Sequence, residues 1–190
     1  MQNQFDKNVQ EIVVWNKTHT EYHIADIALH TNKEKYVLEF QHSTILQKEF
    51  ISRSKFYTEC GYNVIWIFDF CECKSYKRIL IAEEYEDNIV RLVWPGNDRI
   101  RFLDNINLTD FNEHLQIFFH INTGKGKLQL HDPDGYYPWN TWEYVDPFSK
   151  FPCFALLNLV TFDSSNAFFA KLYSEKHFYH AWKRLETQCK

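Results

Sequence analysis

One short apolar run constrains the fold of this chain more than any other segment. Residues 63–68 read Asn-Val-Ile-Trp-Ile-Phe, and Asp69 follows directly. A strand in the middle of a sheet is covered on both faces, so it loses the polar–apolar alternation of a half-exposed strand. The run therefore predicts a buried central strand.

Three more strands are predicted ahead of this run. Residues 11–15 are short, apolar and rich in β-branched side chains, which favours a strand. Residues 22–30 and 35–41 are two further candidates. The polar residues 31–34 between them predict a hairpin turn.

A helix is predicted between the hairpin and the central strand. Ser43 or Thr44 is a suitable N-cap, the helix would end near Glu59, and Gly61 lies just past that end. The order strand, strand, strand, helix, strand predicts an α/β core with a mixed central sheet.

The pattern is weaker beyond Asp69. Further strands are predicted at residues 78–82, 89–94, 100–103, 115–121 and 127–130. A turn is predicted at residues 132–135. From Phe148 onward the chain is aromatic and compatible with a helix that ends near residues 178–184.

The length and composition suit a single domain. A chain of 190 residues, of which 45% are hydrophobic, can bury a substantial core. We predict one domain over residues 1–190. Its core motifs lie in residues 11–70, and residues 71–190 form an α+β extension without an assigned role.

Charge and targeting signals limit how the protein can bind nucleic acid and where in the cell it is expected. The formal net charge is −4, so nucleic acid would have to bind through a local basic patch. No apolar leader follows the start MQNQFDKN. No run of about 18 apolar residues is present to span a bilayer. We therefore expect a cytoplasmic protein that does not enter a membrane.

The five cysteines are consistent with the expected cytoplasmic location, because thiols stay reduced in the cytoplasm. The Cys71–Cys73 pair has no second pair beside it, so structural thiols are favoured over a zinc site.

The predicted hairpin brings two acidic residues together. If residues 22–30 and 35–41 pair symmetrically about the turn, Asp26 lies opposite Glu39, with β-carbons about 4.5–5.5 Å apart. Gln41 then shares the face of the two acids. The other face carries only apolar and aromatic residues: Ala25, Ile27, Leu29, Tyr36, Leu38 and Phe40.

Two opposed carboxylates repel each other, so their charge must be offset. A divalent cation would do this, because Mg²⁺ is commonly held by one or two carboxylates together with water and substrate phosphate. The alternative is an ordinary ion pair of one acid with Lys35, Arg53 or Lys48 on a solvated strand face.

Four segments of the same stretch form a recognisable pattern: His23-Ile-Ala-Asp26-Ile, Leu38-Glu39-Phe-Gln41-His-Ser43, Arg53 with Phe56-Tyr57, and Val64-Ile-Trp66-Ile-Phe68. This pattern resembles a known family, the competence protein CoiA-like nuclease domain. That family carries a His shortly before an Ala-Asp pair, then E-F-Q-x-S, a helix with R-x-x-F-Y, and an apolar strand. The resemblance covers residues 11–70 and implies a restriction-endonuclease-like core of the PD-(D/E)XK superfamily, with helices flanking the sheet.

The resemblance also implies roles for single residues. Asp26 and Glu39 match the metal-binding acids, and Glu11 is a candidate third ligand. Gln41 stands where the superfamily usually has Lys, and an amide cannot act as a base, so it would only position the attacking water. The implied cofactor is Mg²⁺ or Mn²⁺, which would polarise a phosphate and lower the pKa of bound water.

Four neighbouring residues are candidates for supporting roles. Ser43 would cap the helix or bind phosphate, and Arg53 would bind phosphate or neutralise an acid. His42 and His23 are candidate proton acceptors. However, strand alternation predicts that His42 points into the core and that His23 lies off the acid face.

A basic segment lies near the C-terminus, with Lys171, Lys176, Lys183 and Arg184 among aromatic residues. An amphipathic helix with solvated lysines is favoured there over a helix that faces nucleic acid.

These features predict a metal-dependent nuclease that hydrolyses DNA in uptake, recombination or processing. The alternative is a nuclease-fold protein that binds DNA, or serves as a scaffold, without turnover. DNA is the expected partner, and a homodimer is a further expectation.

Overall fold

The computed structural model describes residues 6–69, 80–84, 89–93, 111, 114–122, 152–163 and 167–188. The strands are β1 (Gln10–Trp15), β2 (Tyr22–His30), β3 (Lys35–Gln41), β4 (Asn63–Asp69), β5 (Leu80–Glu84), β6 (Ile89–Val93), β7 (Leu115–Asn122), β8 (Pro152–Asp163) and β9 (Ala167–Ser174). The α-helices are α1 (Gln47–Glu59) and α2 (Glu175–Glu186), and a short 3₁₀ helix covers Lys7–Val9.

The described strands form one mixed sheet in the order β1-β2-β3-β4-β7-β8-β9-β6-β5. β4 lies parallel to β3 on one side and to β7 on the other. The remaining neighbours are antiparallel. The predicted α/β fold with a mixed central sheet, followed by an α+β part, is confirmed.

The central strand β4 is buried on both faces, as its apolar run predicts. Trp66 packs with Phe50 of α1 in one hydrophobic cluster. The next residue in β4, Ile67, packs with Phe178 and Trp182 of α2 in a second cluster. The two helices therefore cover opposite faces of the sheet.

The β2–β3 hairpin has the predicted register. Ile27 pairs with Leu38, and the ladder continues to His30 and Lys35. The turn is closed by Thr31, whose hydroxyl and backbone both bond to Glu34.

The alternation of faces in β2 is interrupted at Asp26. Ala25 lies in the cluster beneath α1, whereas Ile27 and Leu29 lie in the cluster beneath α2. The prediction that Ala25 shares their face is therefore wrong. On the neighbouring strand β1, Glu11 has a φ of +52°, in the left-handed region that costs a non-glycine residue energy.

Helix α1 begins later than the sequence predicts. Its N-cap is Leu46, without a side-chain capping bond, so neither Ser43 nor Thr44 caps it. Ile45 is buried in the core and anchors the chain ahead of the helix. The predicted end is confirmed: Gly61 has a φ of +83° just past Glu59.

The C-terminal part differs most from expectation. The chain after Phe148 was expected to favour helix, but it forms β8 and β9 before α2 begins. Short apolar runs do not distinguish a buried strand from a buried helix. Here neighbouring strands on both sides of β8 and β9 complete their backbone hydrogen bonds.

Three further strands start within two residues of their predicted positions. They are β5, β6 and β7, which were predicted at residues 78–82, 89–94 and 115–121 respectively. The predictions at residues 100–103, 127–130 and 132–135, and the Cys71–Cys73 pair, lie outside the described residues. No helix in the described part is long and apolar enough to cross a membrane.

Candidate active site

Asp26 lies at the end of the β2–β3 ladder. One of its carboxylate oxygens, Oδ2, accepts a hydrogen bond from the backbone N–H of Phe40 at 2.7 Å. The ladder is paired as far as Ile27 and Leu38, and Asp26 lies close enough to Glu39 that its charge raises the pKa of Glu39. Burial raises the pKa of Asp26, while the Phe40 N–H and the positive charge of Arg53 oppose that rise.

Glu39 is almost fully buried, with 1% of its surface exposed. Its Oε2 atom accepts a hydrogen bond from Nη2 of Arg53 at 2.5 Å. Burial raises its pKa to about 7, and the charge of Asp26 adds to the rise, while Arg53 and Tyr57 favour the ionised form. Two buried polar atoms meet no hydrogen-bond partner among the described residues by distance and angle, Oε1 of Glu39 and the hydroxyl oxygen of Tyr57. The Tyr57 hydroxyl is nevertheless close enough to Glu39 to favour its ionised form.

Arg53 reaches this acid from the middle of α1. Its guanidinium lies 5.1 Å from the ring centre of Trp66, whose Nε1 donates to Ser54 at 2.9 Å. The ion pair and this stacking hold the guanidinium in place. Of the two roles considered for Arg53, the structure therefore supports neutralisation of an acid.

Gln41 is anchored to the chain that follows it. Its side-chain nitrogen donates to the carbonyl oxygen of Ser43 at 2.7 Å and to the Ser43 hydroxyl at 3.1 Å. Both N–H groups of the amide are therefore engaged. The amide oxygen of Gln41 can accept a hydrogen bond from water.

Glu11 lies next to Asp26 on the other side of β2. The β1–β2 ladder pairs Gln10 with Ile27 and Ile12 with Ala25, so Glu11 and Asp26 are the intervening pair. Glu11 is exposed, and its charge contributes to the raised pKa of Asp26. The three acids thus lie on three consecutive strands.

These acids suit a cation that keeps much of its water. Among the described residues, no group of three or more His, Cys, Asp or Glu side chains is placed to hold a metal ion on its own. Mg²⁺, however, is often bound by one or two carboxylates, with water and phosphate completing the shell. The buried, unpaired Oε1 atom of Glu39 is a donor that such an ion would satisfy.

His42 lies on the α2 side of the sheet, as strand alternation predicts, since it contacts Asp69, which contacts His120 and through it α2. His23 lies on the side opposite to the predicted one. His42 follows the end of β3, and its side chain is 56% exposed, so it is not a core histidine. His23 packs edge-on against Phe56 and Tyr57 of α1. It therefore lies on the α1 side, because the interruption at Asp26 changes the face of the first half of β2.

A second polar cluster was not predicted from the sequence; in it Asp69, His120 and Glu175 meet His42. Asp69 ends β4, and its two oxygens contact Nδ1 of His42 and Nδ1 of His120, each at 3.1 Å. Nε2 of His120 contacts Glu175, the first residue of α2, at 2.7 Å. Asp69 and His120 lie near the carboxyl ends of parallel strands, where ligands bind in many α/β sheets. This position at a strand end is the signal by which the sequence could have indicated the cluster.

An open groove of about 710 Å³ adjoins the acids through Arg53. It lies between β2 and the start of α1, and Tyr22, Ile24 and Lys48 contribute to its lining. Tyr22 and Ile24 are each about half exposed. The groove is therefore partly apolar, with cationic side chains on its α1 side.

A comparison with protein families identifies the chain. The family model described as "Competence protein CoiA, nuclease-like domain" matches residues 18–120, more than half of the sequence. The chain belongs to this family. Searches of curated proteins and of solved structures gave no match.

The matched CoiA nuclease-like region extends further toward the C-terminus than the expected residues 11–70. It includes Asp26 and Glu39, and also Asp69 and His120 of the second cluster, but not Glu175. Glu11 lies ahead of its first residue, so the family match does not bear on that acid.

Proposed function

We propose that this CoiA nuclease-like protein hydrolyses DNA phosphodiester bonds with the help of Mg²⁺ or Mn²⁺. The observation that carries the proposal is that Asp26, bonded to the backbone of Phe40, lies close to Glu39, whose Oε1 atom is buried and has no hydrogen-bond partner among the described residues by distance and angle. The family's description as a nuclease-like domain supports this reaction class, and its name points to DNA taken up during competence.

In this proposal Asp26 and Glu39 hold the cation, with Glu11 as a third candidate. When bound, the cation polarises the phosphate and lowers the pKa of its bound water. Arg53 fixes Oε2 of Glu39 and leaves Oε1 for the ligand. Gln41 positions a water through its amide oxygen, because its N–H groups are held by Ser43.

Glu39 makes cation binding depend on pH. A carboxylate must be ionised to bind a metal, and burial raises the pKa of Glu39 to about 7. Affinity for the cation therefore rises as the pH rises through about 7. A DNA strand would lie in the adjoining groove, with Lys48 near its phosphates and Tyr22 available to stack on a base.

Two contacts favour a second candidate function, DNA binding or scaffolding without turnover. The Arg53 ion pair already neutralises Glu39, and Ser43 occupies both N–H groups of Gln41. A protein that had lost catalysis would keep such contacts for stability alone.

A cleavage assay separates the two functions. Purified protein would be incubated with single-stranded, linear duplex and supercoiled DNA in Mg²⁺, Mn²⁺ or chelator. Asp26→Asn and Glu39→Gln should each lower the rate by roughly 100-fold or more, since lost stabilisation of several kcal/mol corresponds to that factor. Glu59→Gln, at an exposed acid at the end of α1, is the matched control and should cut like the wild type.

Calorimetric titration with Mn²⁺ measures cation binding directly and does not require the protein to cut DNA. The two site variants should lose the binding heat that the wild type and Glu59→Gln show. Cutting that continues unchanged in both site variants would contradict the proposed site. DNA binding without cutting, and without a cation effect, would favour the second function.

A further inference from the structure

The exposed face of α2 carries basic side chains and no acidic one. Its exposed positions are Lys176, His177, His180, Ala181 and Arg184. Lys176, His180 and Arg184 follow one another at intervals of four residues, so they form one line along the helix. The line is about 12 Å long, as the rise of an α-helix requires. We call these three residues the basic stripe.

The two acids of α2 lie away from the basic stripe. Glu175 contacts His120 of the sheet, and Glu186 contacts Lys183 at 2.6 Å. In the part of the chain that the structure describes, no acidic side chain forms an ion pair with a residue of the stripe. The positive charge of the stripe is therefore available to an anionic partner.

Helix stability accounts for only part of the basic stripe. A cation in the last turn of a helix interacts favourably with the helix dipole, and Arg184 lies in that turn. Lys176 lies in the first turn, where the dipole favours an anion instead. The position of Lys176 is therefore better explained by a ligand outside the helix.

The aromatic side chains of α2 decide which anionic partner suits the stripe. Phe178 and Trp182 are 4% and 8% exposed and pack in the cluster beneath the helix. They can neither stack on the bases of a single strand nor enter a membrane surface, as the apolar face of a membrane-bound helix does. A line of cations without exposed aromatic rings suits the regular phosphates of duplex DNA.

We propose that the basic stripe binds the phosphate backbone of duplex DNA. About three to four phosphates of one strand fall within its length, since each strand carries one charge about every 3.4 Å. His180 offers an N–H donor to a phosphate oxygen even when its ring is neutral. The choice of DNA as the ligand rests on the proposed function, and contacts with phosphates do not select a base sequence.

The basic stripe and the acid pair lie on opposite faces of the sheet. Glu39 meets Arg53 of α1 on one face, whereas α2 covers the other face. DNA held by the stripe is therefore a different segment from the one that reaches the acids. Such a surface raises affinity in a chain whose net charge of −4 would otherwise repel a phosphate backbone.

DNA binding in the presence of a chelator tests the stripe without cleavage. Fluorescence anisotropy of a labelled short duplex would be measured with the full chain over a range of NaCl concentrations. The double variant Lys176→Gln, Arg184→Gln should raise the Kd by about 10-fold or more at moderate salt. It should also reduce the slope of log K against log salt by about 2, since each phosphate contact contributes about 0.9 to that slope.

The matched control is the double variant Lys17→Gln, Lys33→Gln, which removes two exposed lysines elsewhere and has the same net charge. Its slope should equal that of the wild type. An unchanged slope in the stripe variant, or equal losses of affinity in the two double variants, would overturn the proposal. Wild-type protein that binds vesicles rich in phosphatidylserine, but not the duplex, would overturn it in favour of a membrane ligand.

The binding assay and the cleavage assay can fail separately. Wild-type protein that binds the duplex through the stripe but cuts no DNA would support the stripe and contradict the proposed nuclease. A stripe variant that binds the duplex like the wild type, in a protein that does cut DNA, would contradict the stripe alone.

Discussion

Glu39 is the residue at which burial and charge compete most directly. Its pKa is raised from 4.5 to about 7, mainly by burial. Between these two values the folded protein holds a proton that the unfolded chain has lost. The free energy of unfolding therefore falls as the pH rises through this range, because the folded state binds more protons there. Above about pH 7 the ionised carboxylate depends on Arg53.

Arg53→Met tests this dependence, since it removes the cation and keeps much of the side-chain volume. Breaking a buried ion pair costs about 3–5 kcal/mol when the remaining charge is left alone. We expect a loss of that size at about pH 8.5, and a smaller one at about pH 5.5, where Glu39 is protonated and needs no cation. Urea unfolding followed by tryptophan fluorescence measures both.

The control is the double variant Glu39→Gln, Arg53→Met. With no ionisable group at position 39, the cost of losing Arg53 should become nearly independent of pH. Equal losses in Arg53→Met at the two pH values would show that the ion pair does not carry this part of the stability.

At the level of elements, local patterns predicted the hairpin well and the start of α1 poorly. The β2–β3 register follows from the polar turn and the apolar face, and the structure has it. The helix start was misplaced because Ser43 bonds to Gln41 instead of capping the helix. The interruption at Asp26 lies opposite Glu11, the residue of β1 with a left-handed backbone, and the residue pattern of the hairpin does not predict it.

A single residue, Gly61, determines how helix α1 ends. Gly61 has a φ of +83°, and the backbone N–H groups of Gly61 and Tyr62 close the helix onto Thr58 and Tyr57. A β-carbon at position 61 would meet nothing within 4 Å, so only backbone strain opposes a side chain there.

Gly61→Ala should therefore lower the free energy of unfolding by about 1–2 kcal/mol, the usual strain of an L-residue in the left-handed region. Gly61→Asn should lose less, because asparagine tolerates this conformation better. Thermal and urea unfolding of both variants measure the difference. Equal stability of Gly61→Ala and the wild type would mean that this turn relaxes to another conformation.

At the scale of the whole molecule, the sheet does not stop at the end of the apolar run. β7 lies beside β4, and β8 and β9 extend the sheet beyond it. The Asp69–His120 contact joins residues 51 positions apart, and His120–Glu175 joins residues 55 apart. The periodicity of a short sequence segment cannot reveal contacts between residues so far apart. The acid pair lies on one hairpin and could be predicted, whereas the cluster beside it could not.

The same connections bear on the predicted single domain. Phe178 of α2 stacks on Phe154 of β8 with ring centres 3.8 Å apart, and it shares a cluster with Ile65 and Ile67 of the central strand. If the chain is one cooperative unit, loss of this packing destabilises β4 and α1 as well as α2. If α2 and β8 form a separate unit, they unfold first and leave the rest intact.

Phe178→Ala decides between these cases. A buried Phe→Ala change costs about 3–5 kcal/mol, and in one domain that cost appears as a single transition shifted to lower urea. Far-UV circular dichroism and tryptophan fluorescence should then give coincident curves. Lys176→Ala, at an exposed position of the same helix, should leave the midpoint unchanged. Two separated transitions in Phe178→Ala would contradict the single domain. They would mean that the hydrophobic cluster beneath α2 stabilises α2 alone and does not stabilise the hairpin that carries Asp26 and Glu39.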